Sequence, residues 1–160
     1  MNTTEDIYKI ITSIEDSQDY LELGEVDLLV YPLQKLSHEN WEHLMIQIKD
    51  WTEKQRMILT NAIIEIDDNK KSDYDTAKIF ALSLILAEQK NAEVLMEHLD
   101  FLNNGIPKDI ELINQLFDKI KWLENNQQNL FLNFEKAHSL INQLYINGVI
   151  VNATQLPDNN

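Results

Sequence analysis

Residues 38 to 43 read HENWEH, placing two histidines and two glutamates within six positions. Imidazole and carboxylate at such close range invite comparison with H-E-x-x-H, in which one helix face grips zinc and the glutamate serves as general base. The spacing decides against it. Histidines four apart lie roughly 40° from each other on a helix, whereas His38 and His43 are five apart, roughly 140° around the axis. They cannot hold one ion from one helix. Glu39 and His43 share a face, where they read as a solvated pair one turn apart. Glu39 and Glu42 suit the positive end of a helix dipole. Glu135-x-x-His138 is half of the pattern used by di-iron bundles, which need that motif on two helices and further glutamates on two more. His98 has acidic neighbours in Glu97 and Asp100 but no companion ligand identifiable from sequence. Neither a metal nor a cofactor is expected.

Covalent chemistry is no better provided for. The chain has no cysteine, which removes thiol catalysis, thiolate zinc sites and disulfides together. Gly24, Gly105 and Gly148 are scattered, and there is no G-x-S-x-G elbow, P-loop or G-x-G-x-x-G. The sequence therefore reads as that of a non-enzymatic protein.

The elements that would position any site are helical throughout. With 3 glycines and 3 prolines in 160 residues, and apolar positions recurring three or four apart, the spacing predicts an all-α fold of about eight helices. Thr3-x-x-Asp6 caps the first, with Ile7, Ile10, Ile11 and Ile14 on one face. A short second helix covers about residues 25 to 36, kinked or ended early by Pro32. Ser37 caps the third, whose stripe is Trp41, Leu44, Met45 and Ile48; Thr52-x-x-Gln55 caps the fourth, with Ile58, Leu59, Ala62, Ile63 and Ile66 inward. Ser72-x-x-Asp75 caps the fifth, apolar nearly all round and hence interior. The sixth is expected over about 91 to 104 and the seventh from Pro107. The eighth carries Leu130, Phe131, Phe134, Ala137, Leu140, Ile141 and Leu144 and ends at Asn147-Gly148. One domain over residues 1 to 150 follows, with a partly frayed tail over 151 to 160.

Helix starts near 37, 72 and 107 are 35 residues apart. That rhythm predicts stacked antiparallel hairpins, an irregular HEAT-like α-solenoid, with an orthogonal bundle as the alternative. Trp41-x-x-Leu44 opens like a tetratricopeptide repeat, but Met45 stands where glycine is required.

Charge narrows the partners. The 27 acids against 13 bases give a net charge of -14, with Arg56 the lone arginine, so nucleic acid is repelled. The longest apolar run, residues 79 to 87, is too short to span a bilayer, and residues 1 to 6 lack the features of a secretory signal; a cytoplasmic location is expected. Glu15, Asp16, Asp19, Glu22, Glu25 and Asp27 form one acidic cluster; Glu65, Asp67, Asp68, Asp73 and Asp75 form a second. Such charge either solubilises the surface or lands a basic protein. Trp51, at a helix junction, is the tryptophan expected to be exposed for a partner, while Trp41 packs in the core.

The stretch LSHENWEHLMIQIKDW followed by QRMILTNAI resembles the HEAT-like immunity proteins of bacterial polymorphic toxin systems, a likeness covering about residues 25 to 125. The resemblance implies neutralisation of a cognate toxin by direct binding at or near its active site. Combined with the charge, it points to a protein-binding module for a basic partner. A helical adaptor holding a peptide in an apolar groove is the alternative, and a metal-dependent enzyme the third.

Overall fold

The computed structural model describes residues 3–19, 24–66, 73–104, 109–126, 128–129 and 131–154, without the side chains of 73–75, 103–104 and 149–154. Among the described residues the fold is all-α, with eight α-helices and two 3-10 segments.

The first helices begin where local chemistry dictates. In α1 (Thr4–Glu15) the Thr3 hydroxyl accepts from Asp6 N at 3.2 Å and the Asp6 carboxylate accepts from Thr3 N at 2.9 Å, a reciprocal capping box. Its buried face is Ile7, Ile11 and Ile14. Gly24 adopts φ 69°, a left-handed turn that disfavours any side chain, just before α2 (Asp27–Gln34). Pro32 lies inside α2, which ends two residues later with Leu29 and Leu33 buried. The Ser37 hydroxyl caps α3 (His38–Gln47), accepting from Asn40 N at 3.2 Å. Trp41, Leu44 and Met45 face inward from α3, and a 3-10 turn (Ile48–Asp50) follows with Ile48 buried. Thr52 and Gln55 form a second capping box at the head of α4 (Glu53–Glu65).

Helix α5 (Asp73–Leu86) is the hub. Ile79, Phe80, Ala81 and Leu84 are buried and Leu82 and Ile85 half-buried, because α5 packs on α3, α4, α6, α7 and the second 3-10 segment. Its expected cap, Ser72, lies outside the described residues. Alternate helices also pack: α1 on α3, α3 on α5, and α5 on α7.

Three helices depart from their expected bounds. The single sixth helix is instead α6 (Gln89–Met96) followed by a 3-10 segment (Leu99–Asn104). The chain tightens at Glu97 and His98, whose N–H groups reach back three residues to Val94 O and Leu95 O. That break sets Phe101 against Phe80, ring centroids 5.4 Å apart, a tertiary demand that no glycine or proline announces. Helix α7 (Ile110–Asn126) opens later than expected, capped by the Asp109 carboxylate accepting from Leu112 N at 3.0 Å; Pro107 lies outside the described residues. Helix α8 (Phe134–Thr154) starts after Asn133, whose side chain accepts from Lys136 N at 2.9 Å, and so excludes Phe131. It also runs straight through Asn147-Gly148: Gly148 is buried and helical, and tolerates the roughly 1 kcal/mol that glycine costs in a helix interior.

Candidate functional site

The carboxylates divide into those consumed by the fold and those left to solvent. Glu15 belongs to the first group. Its Oε1 accepts from the Thr52 hydroxyl at 3.3 Å and its Oε2 from the Gln55 amide at 2.9 Å, tying the end of α1 to the start of α4. Lys54 Nζ donates to the carbonyls of Glu15 and Ser17 at the same joint. Glu53 repeats the device toward α6: Oε1 accepts from Glu88 N and Asn91 Nδ2, each at 2.9 Å, while Oε2 holds Arg56 at 3.0 Å. Glu93 repeats it toward the start of α8, with Oε1 accepting from Gln128 N at 2.8 Å. Gln89 adds a bond to Asn126 O, and Lys119 Nζ donates to Ala87 O at 2.5 Å. The three acids reach partners 35 to 40 residues along the chain.

Electrostatics follow from these partners. Hydrogen bonds to the Glu93 carboxylate, foremost from the Gln128 backbone, hold it below the ordinary range despite burial pulling the other way. The Thr3 backbone and hydroxyl lower Asp6 in the same way, and Glu5 raises Lys9, 3.0 Å away. Burial lowers the Lys119 amine, whose Nζ lies 4.7 Å from the Trp122 ring centroid, with nearby Glu53 opposing the shift.

Asp16, Asp19 and Asp27 form the second group, exposed and without an ion pair among the described residues. They flank the α1–α2 connection. Glu25 is half-buried there, its Oε2 without a hydrogen bond. Glu22, Asp67 and Asp68 lie outside the described residues, and Asp73 opens α5 with its side chain undescribed. Trp51 differs from the expected exposed anchor: it is half-buried, packs on the core and stacks on Tyr8 at 5.3 Å between centroids, and its carbonyl accepts from Arg56. Burial of the indole outweighs its position at a helix junction.

Two of the histidines pair with glutamates. His38 pairs with Glu42 at 3.4 Å across one helical turn, and Trp41 between them points into the core. His138 Nε2 sits 2.7 Å from Glu124 across the α7–α8 contact, beside the Phe117 ring. Among the described residues no three His, Asp or Glu side chains converge as a metal site would need.

What the sequence did not disclose is a groove. About 390 Å³ lies open between α3, α5 and α7, walled by Met45, Ile46, Leu82 and Leu112 and rimmed by Glu42, Lys49, Lys78, Asp109 and Glu111. Ile46 is 65% exposed, so this wall presents an aliphatic side chain to solvent. Lys78 is already engaged by Asp109 at 3.6 Å, whereas Glu111 stands exposed. The one signal was Ile46 itself, an apolar residue off the buried stripe of α3; the other walls come from helices distant in sequence. No protein-family model, curated protein or solved structure matches this chain.

Proposed function

We propose that the chain is a non-enzymatic binding module that captures a basic protein, which inserts an apolar side chain beside Ile46 while its positive charge faces Glu42 and Glu111. The exposed Ile46 in an open groove of about 390 Å³, with four apolar side chains inside a rim of both charges, carries this reading, since a concavity gives an inserted side chain more contact than a flat surface does. The net charge of -14 supplies the sign of the partner, because a chain so acidic draws cations and repels anions at long range. Asp16, Asp19 and Asp27 are free to contribute to that attraction, while Glu15 is occupied as a strut. The recurring ties from Glu15, Glu53 and Glu93 support a stack of hairpins, and a stack offers a broad rigid face.

Within this reading, the likeness to immunity proteins suggests a toxin domain with a basic active-site surface as the partner and the cytoplasm as the place of action. The test is co-expression of the chain with the products of its neighbouring genes, then affinity capture at low and high salt. Capture of a basic protein that high salt and Ile46→Asp each weaken supports the proposal; capture of none, or binding indifferent to both changes, overturns it.

A second reading, an adaptor that binds a peptide by apolar contact alone, draws on the same groove. It shares the sensitivity to Ile46→Asp and differs in having no salt dependence.

A further inference from the structure

The end of the chain farthest in sequence from the acidic cluster has a different character. Residues 127 to 160 contain Glu135 and Asp158 against Lys136, a net of -1, which leaves -13 on residues 1 to 126. A pocket on this end is rimmed by Glu97 and Asp100 against Lys136, so a second copy meets little net charge at that rim. On this end Phe131 stands just ahead of α8, 96% exposed, the most solvent-facing large apolar side chain among the described residues. Exposure of a whole aromatic ring forgoes a large hydrophobic gain, so an uncovered phenylalanine asks what covers it.

Directly beside it lies that pocket, of about 270 Å³, floored by Met96, Leu99, Ala137 and Leu140, with Phe131 on its wall. A dry apolar cavity of about 150 Å³ is enough to admit benzene, so the space accepts a phenyl ring. The rim carries both signs: Lys136 meets Asp100 at 3.0 Å, with more than half of each side chain in solvent, and Glu97 is exposed next to them. A knob and a hole side by side on one surface are self-complementary under a twofold axis passing between them, so that each copy's ring enters the other's pocket. Because Lys136 stands on the same rim as Glu97 and Asp100, each copy offers the other charges of both signs to match.

We infer that the chain self-associates through a twofold contact in which Phe131 of each copy fills the pocket between the Leu99–Asn104 segment and α8 of the other. One ring and a short rim on each side make a small interface, so the dimer is weak and reversible. The test is sedimentation equilibrium of the full chain over a wide concentration range, at low and high salt. Wild type is expected to pass reversibly from monomer to dimer, and more readily at high salt, because salt screens the repulsion between two copies of net charge -14. Phe131→Asp is expected to raise the dissociation constant at least tenfold with helical circular dichroism and thermal midpoint unchanged, while Phe131→Tyr keeps the dimer. A wild type that stays monomeric at every concentration, its ring folded into its own pocket, overturns the inference; so does a Phe131→Asp variant that dimerises like wild type. The salt response has the opposite sign to that of basic-partner capture, and each result can fail without the other.

Discussion

Glu53 and Arg56 sit one turn apart on α4, 3.0 Å from oxygen to nitrogen, and through this pair α4 is fastened to the start of α6. Both side chains are largely withdrawn from water, at 13% exposure for Arg56 and 20% for Glu53. The guanidinium also donates to the carbonyls of Ile48 and Trp51, and the carboxylate also takes the Glu88 N–H and the Asn91 amide. Glu53→Ala therefore strips a charge from a cation that cannot readily reach solvent and leaves a helix-start donor unpaired. The expected cost is about 2 kcal/mol, lower than for a fully buried pair because water still touches both groups. At about 2–4 °C per kcal/mol for a chain of this size, thermal unfolding should move down by about 4–8 °C. A change as small as that of an exposed pair, under about 0.5 kcal/mol by urea denaturation, would remove Glu53 from this role.

Much of this scaffold was legible because its signals are local. Thr3, Ser37 and Thr52 each stand three residues before a donor or partner that completes a cap, and all three cap their helices. Stripes such as Ile7, Ile11 and Ile14 are readable because a helix face repeats in sequence. The fracture after Met96 was not readable, since no glycine or proline marks it and the Phe80 ring that Phe101 meets lies on another helix. Asn133 and Asp109 are caps as ordinary as Ser37, but they were masked by expecting the helices to start earlier, at Leu130 and Pro107. The groove at Ile46 joins residues from three helices, and a one-dimensional pattern has no means of marking such a meeting. The tie made by Glu15 was hidden for the same reason: its acidic neighbours lie beside it in sequence, while Gln55 lies forty residues away.

Capping offers a graded check on those boundaries. Asn133→Ala removes the acceptor for Lys136 N and Asp109→Ala the acceptor for Leu112 N, each at the head of a long helix. Each should cost about 1 kcal/mol by urea denaturation, and replacement by Ser should restore most of it. If α8 started instead at Leu130, Asn133→Ala would act as an interior substitution toward a better helix former and would not destabilise.

Acid stability should depend on Glu93. Its folded-state pKa lies below the ordinary glutamate value of 4.5, with the Gln128 N–H as the first cause. A carboxylate held low in the folded state binds protons more readily when unfolded, so its contribution is present above that value and is lost as pH falls through the folded pKa. Thermal midpoints taken downward from neutral pH should therefore decline in wild type on the acid side of 4.5. Glu93→Gln keeps an acceptor for the Gln128 N–H but does not titrate, and its acid decline should be shallower. Parallel profiles for the two proteins would count against the assignment. Asp6 acts in the same direction, tied to Thr3, so part of the slope should survive in Glu93→Gln.

The division of the carboxylates into struts and free charges makes the sharpest contrast. Asp16, Asp19 and Asp27 are exposed and unpaired among the described residues, so reversing all three to Lys should cost less than about 1 kcal/mol, most of it from Asp27 in the first turn of α2. The same change moves the net charge from -14 to -8, and with it the long-range field that a basic partner follows. Association with such a partner should slow about tenfold or more at low salt, with a weaker salt dependence and a little-changed dissociation rate, because steering acts on encounter. Glu15→Lys alters the charge by less but replaces an acceptor of Thr52 and Gln55 with a cation beside Lys54, so it should destabilise by about 1–2 kcal/mol. Ile46→Asp separates the remaining role, since losing an apolar contact inside the groove should raise the dissociation rate instead. Stopped-flow association together with urea denaturation on the same variants distinguishes the three. Equal effects of the Asp reversals and of Glu15→Lys on stability would show that the α1–α2 carboxylates act as one group, and the distinction drawn from their hydrogen bonds would fall.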